Sequence, residues 1–270
     1  MKLNERLTLV TSFNKRLSED PRGLTYNAVE SRYPDLDFYV YHENSFDNVK
    51  GNGIIDFKER ENCYTFDIFK ENDWLAPFLK ESEFNKCHTM GTPGTFDPPH
   101  YWKRNAIFWF RKIVALNSVI EHCKTDLLIW LDCDLFFTVD DLKLEHPEED
   151  LKSFSGKRKF DDKLVDWSEN HDVVSIKRSD NYTETGFIVF NMKNGGTEVI
   201  KLMMDFYRSG EVFNHPRWDD CYCIDYITKQ NPHIKFGGLT SNFGSPFDIT
   251  EYMHHYKKGI KFRDNGEKGV

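Results

Sequence analysis

Asp126-Leu127-Leu128-Ile129-Trp130-Leu131-Asp132-Cys133-Asp134-Leu135-Phe136-Phe137 is the stretch that decides the fold. Five consecutive apolar residues, Leu127 to Leu131, predict a central strand buried on both faces. Strands of that kind lie in sheets covered by helices on either side, which is the α/β class. The run closes on two carboxylates one residue apart, Asp132 and Asp134. In open α/β sheets ligands bind just beyond the carboxyl ends of the strands, so the pair falls where a site is expected.

Working outward, Arg6 to Thr11 is a short apolar, β-branched run that predicts a first strand, and Leu36 to Tyr41 a second after Pro34. With helical sequence between them they form a βαβ opening. Ala106, Phe110, Ile113, Val114 and Asn117 fall at helical spacing, with Arg104, Arg111 and Lys112 among them. Downstream, Val173 to Ile176 and Gly186 to Asn191 predict strands, and Thr197 to Arg208 a helix that is followed by Trp218-Asp219-Asp220. Residues 43–100, with Gly51-Asn52-Gly53 and the Pro/Gly-rich run from Gly91 to Pro99, read as a long loop. Residues 143–171 are charge-rich and read as a solvated excursion. With no repeat, low-complexity tract or linker, residues 1–270 are expected to form a single domain.

Composition limits the partners. Across 270 residues, 36 Lys+Arg against 44 Asp+Glu leave a formal net charge of −8, which excludes a general nucleic-acid surface. Hydrophobic residues at 39%, with 23 Phe and 12 Tyr, are enough for a substantial core and exclude disorder as the main state. No stretch reaches the ~20 apolar residues of a membrane span, and Met1 to Arg6 lacks the apolar centre of a signal peptide. Six cysteines are too sparse for a disulfide scaffold, and Cys221-Tyr222-Cys223 has the wrong spacing for a redox or zinc pair. A reduced, cytoplasmic protein is expected.

The D-x-D at the end of the central strand carries the chemistry. Two hard oxygen ligands at a strand end suit Mg²⁺ or Mn²⁺, which would bridge substrate phosphate oxygens. Alone, such a pair also reads as capping or turn aspartates. One chemistry using this strand end is that of haloacid-dehalogenase-like phosphatases, which place D-x-D after the first strand with Thr or Val two residues beyond. Here that position is Phe136 and the motif lies in mid-chain, a poor fit.

Taken together and in order, the motifs over roughly residues 6–263 resemble the GT-A class of nucleotide-sugar-dependent glycosyltransferases. The segment Thr11-Ser12-Phe13-Asn14 is similar to the end of the first strand and the loop that receives the nucleotide base. A helix bearing Arg104, Arg111 and Lys112 precedes the D-x-D, as in enzymes similar to glycogenin and the bacterial lipopolysaccharide galactosyltransferases. Glu184-Thr185-Gly186-Phe187-Ile188-Val189-Phe190-Asn191 resembles their N-x-G-hydrophobic-N segment beside the donor sugar, with Glu184 in place of the amide. Asp219 and Asp220 stand where those families place an acidic or amide residue near the anomeric carbon. His254-His255-Tyr256-Lys257-Lys258-Gly259 is similar to their late H-x-x-G-x-x-K segment, although Tyr256 occupies the position three before Gly259. The combination of W-L-D-x-D, E-T-G-F-x-x-F-N and W-x-D also resembles a group of glycosyltransferases from bacteria and their viruses.

The resemblance implies a mostly parallel, Rossmann-like sheet flanked by helices, with residues 6–142 as the nucleotide-binding half and 143–263 as the donor-sugar and acceptor half. It implies transfer of a sugar from a UDP- or GDP-sugar to a glycan, lipid-linked glycan or protein hydroxyl, with retention slightly favoured over inversion. Mn²⁺ or Mg²⁺ would be held by Asp132, Asp134 and either His255 or His254. Lys257 or Lys258 would meet the diphosphate, with Arg104, Arg111 and Lys112 as further contacts. Asp219, Asp220 or Glu184 would act at the sugar, as a base in an inverting reaction or as a charge stabiliser in a retaining one. Two alternatives remain: a sugar nucleotidyltransferase, which needs a glycine-rich phosphate loop that Thr11 to Arg16 does not provide, and a non-catalytic nucleotide-sugar-binding module.

Overall fold

A computed structural model describes residues 2–13, 29, 32–43, 61–86, 106–133, 135–137, 158–179 and 182–255. Nine strands occur in these residues: β1 (Leu7–Phe13), β2 (Asp37–His42), β3 (Cys63–Asp67), β4 (Leu127–Leu131), β5 (Leu135–Phe136), β6 (Val173–Ser179), β7 (Tyr182–Asn191), β8 (Phe236–Gly238) and β9 (His254–His255). Seven form one sheet in the order β3-β2-β1-β4-β7-β6-β8, and β5 pairs with β9 apart from it. The β1–β2, β1–β4, β2–β3 and β6–β8 pairings are parallel; β7 alone runs against its neighbours β4 and β6. This is the mostly parallel α/β sheet expected from the sequence, and it draws strands from both halves of the chain.

β4 is buried on both faces, with none of its five residues more than 2% exposed. Because strand side chains alternate, Leu128 and Trp130 enter one core, and Leu127, Ile129 and Leu131 the other. The first core is filled by α3 (Ala106–Val119), α5 (Gly196–Arg208) and α6 (Asp220–Gln230). Phe110 of α3 stacks on Phe84 at 4.8 Å and on Tyr207 of α5 at 5.6 Å. The second core is closed by α4 (Asp162–Glu169), which contributes Leu164 and Val165. No helix among the described residues is long and apolar enough to cross a membrane.

Two expectations are corrected. Within the stretch read as a loop, residues 61–86 form β3, α1 (Ile68–Glu71), α2 (Leu75–Glu81) and a short 3-10 turn. β3 is an edge strand with Tyr64 and Thr65 exposed, so it lacks the unbroken apolar run that marks β4. Its last residue, Asp67, caps α1 by accepting from the Phe69 N–H at 3.0 Å. The excursion read over 143–171 also contains structure, since α4 buries Leu164, Val165 and Ser168. The charges of α4 hid it: Asp162, Asp166 and Glu169 lie on one side and meet Arg6 at 3.3, 3.3 and 2.8 Å. The helix expected between β1 and β2, and the run from Gly91 to Pro99, lie outside the described residues, apart from short pieces near Tyr33.

Candidate active site

Where β4 ends, the start of β7 lies beside it. Leu131 is paired with Phe187, and the Asp132 N–H donates to the Gly186 carbonyl at 2.8 Å. Since β7 runs antiparallel to β4, its first residues, Tyr182 to Gly186, project past the carboxyl end of β4. α6 packs there as well: Asp225, in its middle, accepts from the Thr183 N–H at 2.9 Å and its hydroxyl at 2.5 Å, and Cys221 in its first turn meets the Thr185 hydroxyl at 3.2 Å.

Lys112 holds this junction together. It is the one charged residue that α3 buries. Its ammonium donates to Asp132 Oδ1 at 2.9 Å, Asp220 Oδ2 at 2.7 Å and the Thr185 carbonyl at 2.6 Å. Three N–H donors meet three acceptors, which is the full capacity of an ammonium. Burial by itself would lower the Lys112 pKa; the Asp132 and Asp220 carboxylates outweigh it and hold the group charged, above the ordinary lysine value. The ammonium also lies 4.9 Å from the centre of the Trp130 ring. The Trp130 indole N–H donates to the same Asp132 Oδ1, at 2.6 Å.

Asp219 begins α6. Its side chain accepts from the Tyr222 N–H at 3.1 Å, the usual N-cap bond. Both its oxygens also receive Arg217, Nε at 2.8 Å and Nη2 at 2.8 Å. Burial pushes the Asp219 pKa up, and the Arg217 bonds only partly oppose it. Arg217 itself lies over the Tyr182 ring, 5.4 Å from its centre. Glu184 is buried and takes two bonds from Arg178, at 2.8 and 2.6 Å.

The structure therefore brings Lys112, Asp132 and Asp220 into direct contact, with Asp219 next in the chain and Glu184 on the adjoining strand. β9 pairs with β5 so that His254 faces Phe136 and His255 faces Leu135, which sets the backbone of the histidine pair beside the residues that follow Asp134. Elsewhere, Thr11 donates to the Leu131 carbonyl at 2.7 Å, Phe13 enters the core, and Ser12 is half-buried at the end of β1. Arg111 is directed away from the Lys112 junction, to Glu43 at 2.7 Å and over the Phe69 ring at 5.4 Å. Asn14, Arg104, Asp134, Lys257 and Lys258 lie outside the described residues, as do the side chains of His254 and His255. Sequence reading missed Arg217, Arg178 and the Trp130 indole N–H as partners of the site. A buried carboxylate requires a counter-charge, and Arg217 stands only two residues from Asp219.

Two places are candidates for a cation. The ligand atoms of Asp219, Asp220 and Cys221 lie within 4.8 Å of one another. That group does not suit a hard divalent ion. Asp219 is taken by Arg217, Asp220 Oδ2 by Lys112, and burial beside two carboxylates pushes the Cys221 thiol up, away from thiolate. The end of β4 fits better. Asp219 binds Arg217 and Glu184 binds Arg178, while Asp132 and Asp220 both bind Lys112. The Asp132 side chain is 28% exposed, and carboxylate oxygen is the ligand type Mn²⁺ and Mg²⁺ prefer.

No protein-family model matches the chain. No curated protein matches it. Among solved structures, the apo form of mouse xyloside xylosyltransferase 1 is similar with a TM-score of 0.47 and 11% identity, covering 87% of this chain and 85% of that one. An active-site mutant of LgtC is similar with a TM-score of 0.45 and 10% identity over 93% of this chain and 87% of that one. The glycosyltransferase GlyE of Streptococcus pneumoniae TIGR4 is similar with a TM-score of 0.41 and 12% identity over 88% of this chain, which spans 46% of GlyE.

Proposed function

We propose that the chain is a metal-dependent glycosyltransferase that moves a sugar from a UDP- or GDP-sugar to an acceptor hydroxyl on a glycan, lipid-linked glycan or protein. The observation that carries this reading is the shared lysine. Asp132 beyond β4 and Asp220 at the start of α6 meet on one ammonium, which gathers both carboxylates at the carboxyl end of the central strand, where ligands of α/β sheets bind. The residues that would hold Mn²⁺ or Mg²⁺ are Asp132, Asp134 and one of His254 and His255. The bound ion would supply charge to balance the departing diphosphate.

The chain's own groups divide the remaining work. Thr11, Ser12, Phe13 and Asn14 border the place of the base, while Arg104, Lys257 and Lys258 add charge for the diphosphate. Arg111, clamped to Glu43, steadies the end of β2. Lys112 sets the distance between the metal side and the sugar side by binding both carboxylates. Asp220, fixed by Lys112, faces the sugar as a charge stabiliser. Retention is favoured on the same grounds: an inverting base must accept a proton from the acceptor, and Asp219, Asp220 and Glu184 are all bonded to cations.

Calorimetry tests the reading. UDP- or GDP-sugar should bind only with Mn²⁺ or Mg²⁺ present, and the double variant Asp132→Ala, Asp134→Ala should lose that binding. Unchanged, metal-independent binding in the double variant would overturn it. A panel of nucleotide sugars assayed for slow metal-dependent hydrolysis identifies the donor without knowledge of the acceptor.

A further inference from the structure

We infer that residues 158–161 form a clamp that fixes the two arms of the candidate metal site against each other, with Arg158 and Asp161 as positioning residues. The inference rests on the proposed metal site. One arm runs from Asp132 through Asp134 into β5, and the other is β9, which carries the histidine pair. β5 and β9 lie outside the seven-stranded sheet and pair with each other over two residues. So short a ladder does not hold its own place, and the position of both arms has to be set from outside it.

Residues 158–161 touch both arms. On the β9 side, Asp161 Oδ1 accepts the Tyr252 hydroxyl at 2.8 Å, and Arg158 meets Asp161 Oδ2 through Nε at 2.7 Å and Nη2 at 2.6 Å. Arg158 also donates to Glu251 Oε2 at 2.8 Å, and its backbone N–H donates to the Glu251 carbonyl at 3.2 Å. Its guanidinium lies 4.9 Å from the centre of the Tyr252 ring. Tyr252 is fully buried and stands two residues before His254. On the β5 side, the Phe160 ring meets Phe137 edge-on at 5.7 Å, three residues beyond Asp134. The same ring lies 6.4 Å from that of Tyr252 and stacks on Tyr33 at 4.5 Å. The Tyr33 hydroxyl accepts the Phe160 N–H at 3.1 Å, which fixes the backbone of the clamp between its two grips.

The clamp is in turn referred to the main sheet. Asp161 caps α4 through the Leu164 N–H at 3.3 Å, and α4 is bound by Arg6 at the entry to β1. The chemical consequence is alignment. Ligands drawn from separate segments must be held within about 0.5 Å of their working positions by the groups around them. Asp132 is held by Lys112 and the Trp130 indole, whichever way β9 lies. Releasing the polar grip on Glu251 and Tyr252 therefore lets the histidine arm drift while the carboxylate arm stays. Groups that support metal ligands are typically worth about 10–100-fold in metal affinity.

The test uses the purified full chain and reads Mn²⁺ binding directly by electron paramagnetic resonance, with no sugar donor and well below the melting temperature of every variant. Tyr252→Phe keeps the ring in the core and removes only the hydroxyl that Asp161 accepts. Arg158→Gln removes the bridge from Asp161 to Glu251, and serves if Tyr252→Phe fails to fold. Each should weaken Mn²⁺ about 10-fold, and Arg158→Lys, which keeps a charge on the bridge, should recover part of the loss. A lowered melting temperature with unchanged Mn²⁺ affinity in the folded variants would make the clamp purely structural and sink the inference. Asp132→Ala and the double variant His254→Ala, His255→Ala are controls for the underlying reading. If Mn²⁺ binding survives in either control, the metal-site assignment fails; if it is lost in both but intact in Tyr252→Phe and Arg158→Gln, only the clamp fails.

Discussion

Asp219 shows how one side chain serves both helix and site. It was legible in the sequence as either a functional carboxylate or the start of a helix, and the structure gives it the cap of α6 together with a two-bond pair to Arg217. Asp219→Ala removes both. Loss of a cap costs about 1 kcal/mol and a broken buried ion pair more, so a total of about 2–4 kcal/mol is expected from urea unfolding. Asp219→Asn keeps an acceptor for the Tyr222 N–H and removes a charge whose burial is unfavourable, as its raised pKa indicates. It should recover about the 1 kcal/mol of the cap; equal losses in the two variants would assign the whole effect to the ion pair.

At the scale of elements, legibility followed burial. β4 is apolar throughout, β7 is apolar from Phe187 to Phe190, and α5 has helical spacing, so each was readable, β7 only from Gly186 onward. β3 and α4 were not, because an edge strand and a surface helix present half their residues to solvent and those residues dominate the local pattern. The joint between β7 and α5 is equally hidden in the sequence. A Cβ on Gly196 would lie 2.6 Å from the Asn191 carbonyl oxygen and 2.7 Å from its carbonyl carbon, which are backbone atoms unable to step aside cheaply. Gly196→Ala should therefore destabilise the chain by about 1–3 kcal/mol in chemical denaturation. A neutral effect would show that the turn relaxes.

Across the whole molecule, Asp161 ties distant segments together. It caps α4 through the Leu164 N–H and receives Arg158 at 2.7 Å and the Tyr252 hydroxyl at 2.8 Å, while Arg158 reaches Glu251 at 2.8 Å. Through this set, α4 is joined to the segment that leads into β9. Burial alone would raise the Asp161 pKa, but the bonds from Arg158, Tyr252 and Leu164 outweigh it and hold the carboxyl below its ordinary value. The stability linked to this shift is present above the ordinary aspartate range, near pH ~4, and is lost as pH falls through the lowered value. Asp161→Asn should flatten the acid limb of the stability profile below about pH 4. Urea midpoints from pH 2.5 to pH 7, about that range, would show parallel curves for variant and wild type if the linkage is absent.

The sequence by itself determined the α/β class, the position of β4 and the placement of the Asp132 carboxylate at its end. Those follow from local pattern, because five apolar residues must be buried wherever the strand lies and the polar residues after them must emerge. Only the tertiary structure decided which cation belongs to which carboxylate. Lys112 reads from sequence as one more basic residue on a helix, and it becomes the shared partner of Asp132 and Asp220 because α3, β4 and α6 converge on one point. Pairing of buried charges depends on distances between elements far apart in the chain, and no local pattern encodes those distances.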